Sequence, residues 1–170
     1  MTDHFTKPIR AIHFMVLAFL MTLSSPVVAQ DYEKGSAAYN AGDYATALQE
    51  WKPLAKAGDA DAQYRLGFSH HYGKGVPKNY TDAVKWYRLA AVQGSANAQA
   101  RLADMYSNGF GVPQDRVMAH MWYNISAANG DLFAVGFRDF ISNFMTPAAL
   151  ENAQAMASKC MNSGYTKCGY

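Results

Sequence analysis

The 170-residue chain carries 15 Lys and Arg against 13 Asp and Glu, a formal charge of +2, and only two cysteines. So small a charge gives no electrostatic case for a nucleic-acid partner, whose phosphates call for a basic surface. The length supports one domain with a core of its own.

Residues Met1 to Arg10 form a weakly basic head with Lys7 and Arg10, and Ala11 to Leu23 is apolar apart from His13 and Thr22. That run is too short for a comfortable membrane span, which takes about 20 residues. Ser24, Ser25 and Pro26 follow, and small residues at Val27 and Ala29 suit a signal-peptidase site. Residues 1–29 are expected to be a cleaved secretory leader, with an uncleaved anchor as the alternative. Without Lys7, Arg10 and Asp3, the basic and acidic residues fall to 13 and 12, a charge of +1. No later stretch approaches a membrane span, so no transmembrane segment is expected after cleavage. The expected location is the periplasm or the medium.

Residues 30–58 read as a short helix hairpin. Tyr39-Asn40-Ala41-Gly42-Asp43-Tyr44 makes its turn, followed by Ala47, Leu48, Trp51 and Leu54. From there the chain repeats at a spacing of 36. Ala62, Leu66, Gly73, Gly75, Val76, Pro77, Ala83, Trp86, Tyr87, Ala91 and Gly94 return as Ala98, Leu102, Gly109, Gly111, Val112, Pro113, Ala119, Trp122, Tyr123, Ala127 and Gly130. A repeat of this length means a solenoid of stacked supersecondary units. Two more series keep the same spacing: Asp59, Ser95 and Asp131, and Asp43, Asn79 and Asp115. All are residues whose side-chain oxygens cap helix N-termini. Each unit, 59–94 and 95–130, therefore predicts two helices. In the first unit they should run from about Ala60 to His71 and from about Tyr80 to Val92. Gly73 and Gly75 should end the first helix by taking left-handed backbone angles. Ala83, Trp86, Tyr87 and Ala90 share one face of the second, where Trp86 and Tyr87 are expected to supply area to the next repeat.

Residues 131–170 start the pattern again at Asp131 and Ala134 and then leave it. Thr146-Pro147 is an N-cap followed by proline at the first helical position. Ala149, Leu150, Ala153, Met156, Ala157 and Cys160 then form an apolar stripe on a closing helix. In an exported chain Cys160 and Cys168 are expected to form a disulfide. The two cysteines have no nearby ligands to complete a metal site, and none is expected.

The pattern Ala62, Leu66-Gly67, His70, Gly73-Lys74-Gly75-Val76, Ala83, Trp86-Tyr87, Ala90-Ala91 and Gly94, with its second copy, resembles the Sel1-like branch of the tetratricopeptide superfamily, in its bacterial exported form. The resemblance implies an all-α superhelix, or solenoid, of helix hairpins with a C-terminal helical cap. It further implies a protein-protein adaptor that binds a protein or peptide partner on its concave face, without a cofactor. For an exported chain, partners in the bacterial envelope follow, with peptidoglycan association left open. A secreted, host-directed factor is the alternative. Some cysteine-rich exported relatives are linked to β-lactam hydrolysis. They carry a cysteine pair in each repeat, which this chain lacks, so an enzyme is not expected.

The residues themselves offer no catalytic set. His70 and His71 are adjacent and point about 100° apart on a helix. His70 stands where the family has a buried Tyr and is expected to pack, and His120 is expected at the surface or an interface. Gly73-Lys74-Gly75 lacks the length and the Lys-Ser or Lys-Thr ending of a phosphate loop. Asn79-Tyr80-Thr81 and Asn124-Ile125-Ser126 match the glycosylation pattern by coincidence. One constellation stands apart: Tyr64, Phe68 and Tyr72, four apart with Arg65 alongside, replaced in the next unit by Ala100, Asp104, Asn108 and Arg101. It is either a partner-binding patch or a packing surface for the first hairpin.

Overall fold

A computed structural model describes residues 25–169, and among these residues eight helices and no strand occur. Residues 1–24, most of the expected leader, lie outside the described residues. Helix α1 (Ser25–Asn40) runs through the expected cleavage point between Ala29 and Gln30 and pairs with α2 (Tyr44–Ala57). The next hairpins are α3 (Ala60–Tyr72) with α4 (Tyr80–Ala91) and α5 (Ala96–Asn108) with α6 (Arg116–Ala128). Each hairpin leans on the following one, α2 on α3, α4 on α5, and α6 on α7 (Leu132–Ser142). The last helix, α8 (Pro147–Asn162), packs on α6 instead of closing a hairpin with α7.

The caps hold this punctuation. Asp43 accepts from the Thr46 amide, Asp59 from Ala62, Asn79 from Asp82, Asp115 from Val117 and Met118, and Asp131 from Phe133 and Ala134. Ser95 makes no side-chain cap bond. Thr146 caps α8 through the Ala149 amide. Gly73 and Gly109 end α3 and α5 at φ +70° and +72°.

The second glycine of each loop has a further task. At φ +76° and +71°, Gly75 and Gly111 press against the start of the second helix of the preceding hairpin. A Cβ on Gly75 would lie 2.7 Å from Tyr44 Cβ, and one on Gly111 would lie 2.5 Å from the Tyr80 carbonyl carbon. Tyr44 and Tyr80 are themselves 36 apart. The residue between the glycines covers the same ring: the Lys74 ammonium sits 5.2 Å from the Tyr44 ring centre, and Phe110 stacks on Tyr80 at 4.6 Å. The loop is therefore a joint between repeats as well as a turn within one.

Polar joints run beside it. Gln63 and Gln99 are buried. Their side-chain amides donate to the carbonyls of Ala55 and Ala91 at 3.0 and 2.9 Å, across the turn to the preceding hairpin. Gln93 and Asn129, at the ends of the next helices, donate back to them at 2.7 and 2.8 Å. The Tyr165 hydroxyl donates to Asn129, tying the tail to this ladder. Gln99→Leu is expected to lower stability by about 2 kcal/mol in thermal or denaturant unfolding, because it strands buried polar partners.

The core falls into two clusters. One holds Ala47, Leu48, Trp51, Leu54, Ala62 and Leu66 of the first hairpin and α3, and the other runs from α4 to the C-terminal helix. Tyr87 belongs to the second cluster as expected. Trp86 does not: it is half-buried and packs back onto the first cluster, to which α3 contributes Ala62 and Leu66. His120, expected at the surface or an interface, is buried at the interface of α6 with α8. Cys160 and Cys168 form a disulfide, both buried.

Candidate functional site

The framework residues recur because they build the hairpin, so the first-helix positions where the copies differ are the natural place to look for chemistry. On α3 these positions hold Tyr64, Arg65, Phe68 and Tyr72. Tyr64, Arg65 and Phe68 are half-buried, and Tyr72 is 44% exposed. The rings form a continuous run. Tyr39 meets Phe68 edge-on at 6.3 Å, Phe68 lies 4.4 Å from Tyr72, and Tyr64 lies 6.1 Å from Tyr87. Arg65 is committed to the first hairpin. Its Nε donates to the Tyr32 hydroxyl at 3.3 Å, and its guanidinium lies 5.6 Å from the Trp51 ring centre. Burial opposes its charge, but the hydrogen bond to Tyr32 and the surrounding tyrosines outweigh that and hold its pKa above the ordinary value.

The α5 helix continues the surface with different chemistry. Arg101 pairs with Asp104 at 2.9 Å, and the Tyr123 hydroxyl donates to the other Asp104 oxygen at 2.7 Å. Burial again works against the Arg101 cation, while Asp104 and the neighbouring Tyr72 and Tyr64 hold it charged, well above its ordinary range. Burial pushes the Tyr87 and Tyr123 phenols up, so both stay protonated. Of the five residues read from sequence as a partner surface, Tyr72 is the most accessible. Arg65 is the one most engaged with the first hairpin, and Arg101 sits between Tyr72 on α3 and Asp104 on its own helix.

Beyond α5 the surface turns apolar, which the sequence reading missed. In the 36-residue register, Phe137, Phe140 and Phe144 of α7 and the turn after it stand where α3 has Arg65, Phe68 and Tyr72. Phe137 stacks on Tyr123 at 5.6 Å. With Asp104, Asn108, Phe133 and Phe140 they line a groove of about 600 Å³ between α5 and α7. The signal was in plain sight as four phenylalanines in twelve residues, but loss of the repeat pattern after Ala134 hid their register.

The three histidines among the described residues, His70, His71 and His120, are all at least half-buried. His71 is buried, stacks on Tyr72 at 4.3 Å, and has its Nδ1 3.4 Å from the Tyr87 hydroxyl. His70, in the family's Tyr position, is half-buried, so of the pair its neighbour packs more deeply. Burial lowers the pKa of His70, His71 and His120 below 6.5. A depressed folded pKa means the neutral rings stabilise the fold above the unfolded value. That contribution is lost as pH falls from about 6.5 through the lower folded values. Melting temperature is therefore expected to drop below about pH 6.5, and His71→Gln with His120→Gln should flatten the slope.

Among the described residues no group of three or more His, Cys, Asp or Glu side chains could hold a metal ion, and no helix is long and apolar enough to cross a membrane.

The family profile of the Sel1 repeat matches residues 60–95 and 96–131. No functionally curated protein is significantly similar in sequence. Among solved structures, a Sel1 repeat protein from Oxalobacter formigenes is similar at 33% identity and a TM-score of 0.60, over 66% of this chain and 87% of that one. A protective antigen present in uropathogenic Escherichia coli strains, with an SLR fold, superposes with a TM-score of 0.77 at 26% identity over 81% of this chain. The chain spans 31% of that antigen's length.

Proposed function

This chain belongs to the Sel1-repeat family, whose stacked hairpins are a protein-protein interaction fold, and we propose that it is an exported adaptor that binds a protein or peptide partner in the bacterial envelope. The observation that carries this reading is the first-helix face of α3 and α5. Tyr72 keeps 44% of its surface exposed although it stacks on Phe68 and His71, and the Arg101 guanidinium, paired with Asp104, continues the same first-helix surface. An aromatic and an arginine are the side chains that concentrate binding energy at protein interfaces. By this reading the partner lies on the concave face and contacts Tyr72 first, with Tyr64, Phe68 and Arg65 supporting the ring from behind. The Cys160–Cys168 disulfide supports an oxidising compartment, consistent with a leader over residues 1–29.

The test is cell fractionation followed by mild crosslinking. Recovery of the protein in the periplasm with a specific crosslinked partner supports the envelope adaptor, with peptidoglycan fragments scored separately. A second reading, a secreted host-directed factor, draws on the similarity to the protective antigen. Recovery in the medium, without an envelope partner, would replace the first reading with the second. Hydrolysis of a chromogenic β-lactam by the purified protein would overturn the adaptor reading.

A further inference from the structure

Helix α7 is the first helix of a fourth unit that lacks its usual hairpin partner. Asp131 and Ala134 keep the 36-residue register, but α8 packs on α6. The sequence has adjusted to this at the hairpin-facing positions. Where α3 and α5 carry Leu66, Gly67 and His70 or Leu102, Ala103 and Tyr106, α7 carries Arg138, Asp139 and Ser142. These line a polar cleft of about 460 Å³ between α6, α7 and α8. Ala134 and Ile141 bury the inner side of α7.

Nothing in that arrangement needs more apolar side chains, yet the outer side is almost wholly apolar. Leu132, Phe133, Phe137, Phe140 and Phe144 are 82, 84, 55, 64 and 58% exposed. The phenylalanines are spaced four, three and four apart, the spacing of a seam that packs lengthwise on another helix. Gly136 flanks the seam in mid-helix, where glycine costs about 1 kcal/mol against alanine. A Cβ there would meet nothing within 4 Å. The fold does not ask for this glycine, whereas a second backbone coming close from outside does.

The occupant that fits is an identical helix. No charged side chain interrupts the seam, because Arg138 and Asp139 pair with each other at 2.7 Å and line the cleft toward α6 and α8. Asp104, at the groove's edge, is already taken by Arg101 and Tyr123. A charged partner therefore gains no ion pair along the seam itself, and a membrane surface finds no ring of Lys and Arg around the apolar face. Two copies of the seam are complementary as they stand. At about 200 Å² per large apolar side chain, the exposed parts of the five amount to roughly 700 Å² per copy. Two copies would then bury about 1,400 Å², within the range of stable interfaces. We infer that α7 is a dimerisation helix, two copies packing seam to seam about a two-fold axis with Gly136 beside the line of closest approach. This is independent of partner binding at Tyr72.

Sedimentation velocity of the purified, leader-free protein from low to high micromolar concentration tests it. The wild type is expected to sediment as a dimer, and Phe133→Asp with Phe140→Asp as a monomer with unchanged far-ultraviolet circular dichroism. Leu89→Asp, an exposed apolar position on α4, should remain dimeric. Gly136→Leu should weaken the dimer at least tenfold while raising the melting temperature of the monomer. A wild type that stays monomeric throughout overturns the inference, whether or not it binds phosphatidylcholine–phosphatidylglycerol vesicles or a foreign amphipathic helix. So does a dimer that survives the Asp pair. If the Asp variant loses its helical signal, Gly136→Leu decides, and an unchanged dimer constant counts against α7.

Discussion

Gly111→Ala is expected to destabilise the protein by about 3 kcal/mol, seen as a fall of about 10 °C in melting temperature for a chain of this size. Two terms combine. At φ +71° an L side chain carries the left-handed penalty, roughly 1–2 kcal/mol. The added Cβ would also stand 2.5 Å from the carbonyl carbon and oxygen of Tyr80 and 2.8 Å from the Thr81 amide nitrogen. Those atoms are backbone at the start of α4, so no side chain can swing aside, and the whole loop has to lift off the preceding repeat. Gly130→Ala is the control. Its φ is +99°, but an added Cβ meets nothing within 4 Å, so it should lose only the conformational term. Equal losses at the two glycines would show that the loop does not act as a joint between repeats.

Trp122→Ala should cost about 3–5 kcal/mol, the usual loss for a large aromatic removed from a closed core. Trp122 is fully buried within the larger cluster, on the helix that α8 covers. Trp86 occupies the same register position one repeat earlier but is only half-buried against the first cluster. Trp86→Ala should therefore cost clearly less. A denaturant series on both variants separates them, and indistinguishable losses would contradict the division of the core at α4.

These two pairs of residues show where sequence reasoning reached and where it stopped. The 36-residue spacing located both hairpins and nearly all the caps, because capping and helix termination are local and use few residue types. It also explained the glycines correctly as helix stops. It missed their second use, since the contact from Gly75 to Tyr44 and from Gly111 to Tyr80 joins segments about 30 residues apart. Gln63 and Gln99 are also 36 apart and went unremarked, because glutamine on a helix reads as surface until a neighbouring carbonyl is seen beside it. For His120 the same limit left surface and interface both open, and α8 folding back over α6 decides for the interface.

The site was partly legible. Tyr64, Phe68 and Tyr72 do share a face, and the sequence left open whether it packs or binds. In the structure Arg65, Tyr64 and Phe68 touch the first and second hairpins and Tyr72 reaches solvent, so the binding half of that reading rests on Tyr72. The phenylalanines of α7 escaped because the repeat signature was the only guide to register, and α7 has exchanged its apolar and polar positions.

The central claim is that repeated positions build the stack while the variable face of α3 and α5 binds a partner. Crosslinked capture from the envelope fraction tests it most directly, with wild type, Tyr72→Ala and Arg65→Ala compared at equal folded concentration. Tyr72→Ala should unfold within about 1 kcal/mol of wild type, since it loses only ring contacts at a half-open position, yet recover little or no partner. Arg65→Ala should be the less stable variant and, while folded, still recover it. Full recovery of the partner by folded Tyr72→Ala would contradict the account.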